Sequence, residues 1–333
     1  MFYAPAWGWM STPRQPPVVY SDAYNITFFG LEKLHPFDSC KYRRVLAALD
    51  AAGAVDARRV VRVPGQCTRE QLLDVHSAGY LDSLSRSEVV AGVVELPPLA
   101  LLPNFVVQRR VLGPMRTMAR GTVIAAGVAW ARGFALNLGG GMHHASRDHG
   151  SGWCPYDDWY LALRQLRRAT GRPGLRALYV DLDVHQGNGV ARDKAHFGDA
   201  GTVYILDAFN ASAYPADAEA KRGIDAPVPF PPGTGDAAYL SEVRAALDKA
   251  WTEFEPDIVL YNAGTDVLEG DPLGGVCVSA AGIAERDEAV LQSALDRGVP
   301  LVMATSGGYA RRNWEVISAS LLNLHEKFGI FHY

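Results

Sequence analysis

Short, uninterrupted runs of apolar residues recur along the chain, separated by longer stretches in which apolar positions return every three or four residues. The short runs are Val18–Tyr20, Phe134–Leu138, Ala177–Leu182, Thr202–Leu206, Ile258–Asn262 and Leu301–Ala304. Most are rich in Val, Ile and Leu without polar alternation, the pattern of strands buried on both faces of a parallel sheet. Between them the spacing predicts helices near 40–52, 69–76, 108–131, 157–169, 236–254, 280–297 and 313–326. Thr68, three residues before Gln71, forms a capping-box pattern, and Ser279 stands where it can cap the helix after it. Pro114 falls early in the long helical stretch and starts or kinks it. Alternating βα units over the whole length predict one α/β domain across 18–333, an open and mostly parallel sheet flanked by helices. Residues 1–17, rich in Pro and aromatics and without a period, are expected to form an irregular arm.

In open sheets of this kind, ligands bind at the carboxyl ends of the strands. Four polar, glycine-containing clusters stand at predicted strand ends: Gly139 to His144, Asp181 to Gly189, Asn262 to Asp266, and Ser306 to Tyr309. In the second, strand alternation puts Asp181, Asp183 and His185 on one side. Three ionisable groups on one face of a buried strand end are costly without a compensating partner, and a divalent cation is the simplest one. Two carboxylates and a neutral imidazole around Zn²⁺ give a neutral site with an open fourth position, the pattern of catalytic zinc. Asp183 and His185 supply two ligands, and Asp266 is the best candidate for the third. Asp181, about 7 Å further back, fits a supporting role. Iron(II) fits the same ligand set.

Composition narrows the partners. Lys plus Arg total 32 against 36 Asp plus Glu, a formal charge of -4, which carries no electrostatic footprint for nucleic acid or anionic membrane. Cys40, Cys67, Cys154 and Cys277 lie far apart with no C-x-x-C pair, which predicts reduced thiols. No apolar stretch is long enough to span a membrane, and the N-terminus lacks the pattern of a signal peptide. The expected location is cytoplasmic.

The stretches YNITFFGLEKLHPFD, VDLDVHQGNG, YNAGTDVLEGDPLGG and TSGGY resemble the histone deacetylase family of the arginase–deacetylase superfamily, specifically its class IV branch. The likeness runs from about Tyr20 to Leu322. It implies the arginase/deacetylase fold and hydrolysis of the amide of Nε-acyl-lysine, in a protein or peptide, as a deacetylase or a long-chain fatty deacylase. It implies one zinc held by Asp183, His185 and Asp266, with His143 and His144 beside the attacking water and Tyr309 donating a hydrogen bond to the substrate carbonyl. Gly152 and Trp153, with Gly307 and Gly308, would line the acyl channel, and Leu273 and Tyr214 would lie near its mouth. A structural K⁺ would sit beside the zinc strand, bound largely through backbone oxygens near Asp181, Asp183 and His185.

Two positions depart from the commoner deacetylases. Asn188 stands where the second histidine usually meets a carboxylate, so His144 is expected to be the less basic of the pair and the general base, with His143 held by Asp181. Trp153 stands where the family usually has Phe, a larger channel wall. The apolar, Pro-rich loop from Glu95 to Pro103 is an ordered surface loop or part of an apolar rim for a long acyl chain. A dinuclear, arginase-like site would need further carboxylates at positions held by Gly187 and Leu268, which cannot ligate through side chains; that argues strongly for one metal. The remaining rivals are an acetylpolyamine amidohydrolase, acting on an acylated small amine, and a metal-binding scaffold without catalysis.

Overall fold

The computed structural model describes residues 15–27, 30, 32 and 35–332. Among the described residues eight strands make one sheet: β1 (Val18–Tyr20), β2 (Val61–Arg62), β3 (Phe134–Asn137), β4 (Ala177–Asp181), β5 (Val203–Asn210), β6 (Ala226–Phe230), β7 (Ile258–Asn262) and β8 (Leu301–Ala304). Their spatial order is β2-β1-β3-β8-β7-β4-β5-β6, and every neighbouring pair is parallel. This is the arginase/deacetylase architecture the sequence predicts. β3, β4, β5, β7 and β8 are buried at every residue, which is why their sequences show no alternation.

Among the described residues the α-helices are α1 (Lys41–Ala51), α2 (Arg69–Leu72), α3 (Ala78–Ser83), α4 (Ser87–Val93), α5 (Asn104–Val107), α6 (Gly113–Arg132), α7 (Asp158–Thr170), α8 (Asn188–Phe197), α9 (Asp236–Glu253), α10 (Ala280–Leu295) and α11 (Asn313–Phe328). α6 packs on β1, β3 and β8 and against α7, while α9, α10, α11 and α1 pack in series. The Thr68–Gln71 capping box forms on α2, and Ser279 caps α10 by accepting from Gly282 N–H. Pro114 lies in the first turn of α6, after a π-helical turn over Gln108–Leu112. It opens the α-helix there, its fixed φ suiting the first turn.

Several features differ from the sequence expectation: β2, α3, α4 and α5 were not expected, and α2 ends at Leu72, short of 76. β5 continues past Leu206 to Asn210, carrying the buried polar residues Asp207 and Asn210. β6 was not expected, because Pro227 and Pro229 cannot donate to a ladder; it is an edge strand, where that loss is tolerated. α8, where no helix was expected, begins at Asn188 inside the second polar cluster. The arm expected over 1–17 lies, for residues 1–14, outside the described residues. The next residues join the body: Pro17 O accepts from Leu136 N–H at 2.8 Å and Gln15 O from Arg132 at 2.7 Å. No helix among the described residues is long and apolar enough to cross a membrane.

The chain order sets the position of the site. β3 leads to β4 three places away, and β7 and β8 fill the gap later. Ligands collect at the carboxyl ends around such a reversal. The pairing register aligns Asn137, Ala304, Asn262 and Asp181 across β3-β8-β7-β4. All four polar clusters therefore leave the sheet side by side.

Candidate metal centre and active site

Asp183 and His185 leave the end of β4, and Asp266 leaves the end of β7 beside them. All three are buried and their ligand atoms lie within 4.8 Å of one another. His185 Nδ1 is 3.1 Å from both Asp183 Oδ1 and Asp266 Oδ2. Bonds of ~2.0–2.1 Å to a tetrahedral ion put ligand atoms ~3.3 Å apart, close to this spacing. The chain is shaped around these carboxylates. A Cβ on Gly307 would come 2.3 Å from Asp183 Oδ2 and 2.5 Å from Asp266 Oδ2. Gly307 N–H instead donates to Asp183 Oδ2 at 3.0 Å.

The electrostatics demand positive charge at this point. Burial opposes a proton on His185, yet Asp183 and Asp266 push its pKa up to about 10. Burial and the charge of Asp183 push Asp266 up to about 7. Against burial, His143 and His185 hold Asp183 well below the usual carboxylate range. Two acceptor-only groups converging on one ring nitrogen are satisfied by a proton or by a cation, and a divalent ion displaces the proton. The residues fit a metal.

His143 and His144 follow the Gly139-Gly140-Gly141 turn at the end of β3. Their ring centroids are 4.1 Å apart, but their surroundings differ. His143 Nδ1–H donates to Asp181 Oδ2 at 2.8 Å, and Asp181 also accepts from Tyr179 Oη and Asn262 Nδ2, each at 2.8 Å. Burial disfavours the His143 cation, but Asp181 and Asp183 outweigh it and push the pKa up to about 9. His144 Nδ1 meets Asn188 Oδ1 at 2.9 Å. Burial, then the neighbouring His143 and His185, hold it well below the usual histidine value. The His144 ring lies 6.0 Å from His185 and 5.1 Å from Tyr214.

Tyr309 follows β8, its ring 5.8 Å from His185 at 88°. Burial and the charges of Asp183 and Asp266 keep its hydroxyl protonated, so it is a donor. A cavity beside these groups is lined by Gly152, Trp153, Gly307, Tyr309 and Phe37. Trp153 packs on Phe37 at 5.5 Å and on His35 at 4.9 Å. Tyr214 and Leu273 lie outside the lining and are 45% and 42% exposed. Gly308 also lies outside it, and a Cβ there would run into Thr265 and Asn313 instead.

Several supporting residues gave no sequence signal of their own. Asp158 opens α7 and receives Gly141 N–H at 2.9 Å and Met142 N–H at 2.8 Å, fixing the turn that aims both histidines. Asp271 accepts Tyr309 N–H at 2.7 Å and Ala310 N–H at 2.9 Å. Lys41, fully buried, donates to Ser306 O and to Gly307 O at 3.0 Å. Arg286, also fully buried, donates to Leu182 O at 3.1 Å and Gly264 O at 2.6 Å. These two cations tie the ligand-bearing loops together from beneath through backbone carbonyls. Asp207 stands in register beside Asp181; its Oδ2 accepts Gly187 N–H at 2.9 Å and its buried Oδ1 has no partner among the described residues. An orphaned carboxylate oxygen next to a second carboxylate fits a cation such as K⁺.

Comparison with known proteins agrees with this geometry. The family model described as "Histone deacetylase domain" matches residues 35–324. The chain is 44% identical over 311 residues to "Histone deacetylase 2" of Arabidopsis thaliana, covering 92% of this chain and 78% of that one. It is 27% identical to "Histone deacetylase 8" of Xenopus tropicalis over 293 residues, 84% of this chain and 77% of that one. It is 27% identical to "Acetoin utilization protein AcuC" of Bacillus subtilis over 282 residues, 78% of this chain and 68% of that one.

Proposed function

The chain belongs to the histone deacetylase family, and from that premise we propose that it is a zinc-dependent hydrolase of Nε-acyl-lysine amides, of the class IV branch. One observation carries the reading: the Asp183–His185–Asp266 triad, His144 and Tyr309 converge on one buried point. The motif stretches that resemble class IV, with Asn188 in place of a carboxylate, support the branch. A K⁺ beside Asp181 and Asp207 is part of the same proposal.

Zinc, when bound, supplies carbonyl polarisation and a more acidic water. His144, neutral and with no partner on Nε2 among the described residues, takes the proton from the attacking water. It later delivers a proton to the leaving lysine amine. His143, held by Asp181, keeps positive charge beside the developing oxyanion, and Tyr309 Oη donates to that oxyanion. A donor of this kind contributes about 3 kcal/mol. Gly152, Trp153 and Phe37 wall the acyl-lysine stem and exclude water.

The substrate reading extends to long acyl chains on one structural ground. Glu95 lies 3.7 Å from His35, which packs on Trp153 and Tyr309, so the apolar segment that follows Glu95 starts beside the channel mouth. Further along the same stretch Leu101 and Phe105 are exposed by 89% and 73%. The test is a rate series on one lysine peptide carrying acetyl, octanoyl and myristoyl groups, beside acetylated polyamines. The expected outcome is turnover of the peptides that falls about 100-fold in Tyr309→Phe. Preference for polyamines would overturn the lysine reading, and metal content without turnover on any acyl length would overturn catalysis.

A further inference from the structure

The partner of His144 is an amide, and an amide has two unlike ends. Asn188 can offer His144 an acceptor, Oδ1, or a donor, Nδ2. Nothing in Asn188 itself decides which, yet the choice sets the imidazole tautomer. An acceptor requires the proton on Nδ1 and leaves Nε2 with its lone pair. A donor requires Nδ1 to be bare and puts the proton on Nε2, where a base must have none.

Asp217 makes that choice. Its Oδ2 accepts from Asn188 Nδ2 at 3.3 Å, on the side of the amide away from His144. A carboxylate only accepts, so the amide nitrogen must face it and Oδ1 must face the imidazole. Asp217 is held charged and in place on every side. Arg192 donates Nε to Oδ2 at 2.9 Å and a second nitrogen to Oδ1 at 3.0 Å. Ala220 N–H donates to Oδ1 at 3.0 Å. The backbone is clamped to the side chain of Gln186 in both directions, Gln186 Nε2 to Asp217 O and Asp217 N–H to Gln186 Oε1, each at 3.0 Å.

We propose that Asp217 is a positioning residue for the deacylation base: acting through Asn188, it selects the His144 tautomer whose Nε2 is free to take a proton. The carboxylate absent from position 188 is thus supplied one residue further out, with its charge balanced by Arg192. This rests on His144 being the base, and the test separates the two claims.

The experiment is a double-mutant cycle with a tautomer readout. Asp217→Ala is expected to lower kcat about 10- to 100-fold with KM little changed, the usual range for an outer partner of a catalytic group. In Asn188→Asp both side-chain oxygens accept, so no orientation remains to be chosen and two carboxylates now face each other. On that background Asp217→Ala is expected to leave kcat unchanged or to raise it. Equal losses on both backgrounds would overturn the proposal, since a structural role is indifferent to residue 188. Nitrogen-15 NMR of histidine-labelled protein should show the His144 proton on Nδ1, and in Asp217→Ala a shift towards Nε2. An unchanged tautomer would overturn the proposal whatever the kinetics. Should Asp217→Ala unfold in a thermal melt, Asp217→Ser keeps an acceptor for Ala220 N–H too short to reach Asn188 and carries the same comparison. If instead His144→Ala retains its kcat, the base assignment fails while the tautomer result stands.

Discussion

The molecule buries the same three side chains, two aspartates and a histidine, in two places, with opposite results. At the strand ends, Asp183 and Asp266 converge on the ring nitrogen of His185. Behind the histidine loop, Asp157 and Asp193 face each other beside His76. In the first group the imidazole is driven up to about 10; in the second it is driven down to about 4. What differs is the direction in which the ring points. His185 points at two carboxylates. His76 points at backbone: Nδ1–H donates to Ser146 O at 3.0 Å and Nε2 accepts Asp157 N–H at 3.0 Å. Burial holds His76 neutral, and a ring with one nitrogen donating and the other accepting carries a single proton. Each of its two aspartates keeps one buried oxygen without a partner among the described residues, and one shared proton would satisfy both. Burial and then mutual repulsion put Asp157 well above the carboxylate range, and burial puts Asp193 at about 7. The composition of a cluster does not say whether it binds a metal; the direction of its lone pairs does.

The largest expected effect falls on the first cluster. Asp183→Ala should abolish stoichiometric zinc, measured by elemental analysis, and reduce turnover more than about 1000-fold, since metal activation carries several kcal/mol. Asp193→Ala should leave zinc content intact. Zinc lost in both variants, or in neither, would break the comparison.

Next comes pH. His76, with a folded pKa near 4 against an ordinary 6.5, favours the fold above 6.5, and that stability is lost as pH falls through 4. The contribution is on the order of 3 kcal/mol. Asp193 has the opposite sign: its folded pKa, near 7 against 3.8, gives stability present below 3.8 and lost as pH rises through 7. In the window between about 4 and 6.5 the two oppose each other. Replacing both carboxyls, Asp157→Asn with Asp193→Asn, leaves His76 to titrate alone. Asn still caps α7. Denaturant unfolding of that variant should show stability rising with pH across the window, more steeply than in the parent chain. A slope equal to the parent's would show that the pair holds no extra proton.

The smallest effect concerns shape. Gly307→Ala brings a methyl group within 2.5 Å of both ligand carboxylates. Zinc affinity, from competition with a chelator, should fall about 10- to 100-fold while the melting temperature of the metal-free protein hardly moves. An unchanged affinity would mean that the ligand loops are freer than the packing indicates.

Much of this was legible in the chain. The uninterrupted apolar runs gave β1, β3, β4, β7 and β8 because strands buried on both faces need no polar alternation. The glycine-flanked clusters past them held Asp183, His185, Asp266, both histidines and Tyr309, which the structure brings together. β6 was not legible because its prolines are tolerated only at an edge, and being at the edge is a property of strand order. Asp158, Asp271, Lys41 and Arg286 were hidden because each acts on backbone groups far away in sequence, and no local pattern marks such a partner. Asp217 was hidden for the same reason, 29 residues from Asn188.

The sequence by itself determined which strands are buried, and therefore which residues stand at their carboxyl ends. Only the tertiary structure decided which of those residues face one another. β7 and β8 are inserted between β3 and β4, and a register that aligns Asn137, Ala304, Asn262 and Asp181 brings the four clusters to one point. The physical reason is that apolar burial is non-directional and can be read from periodicity. A metal centre, a tautomer or a shared proton depends on the directions of single lone pairs, and those are fixed only when distant segments meet.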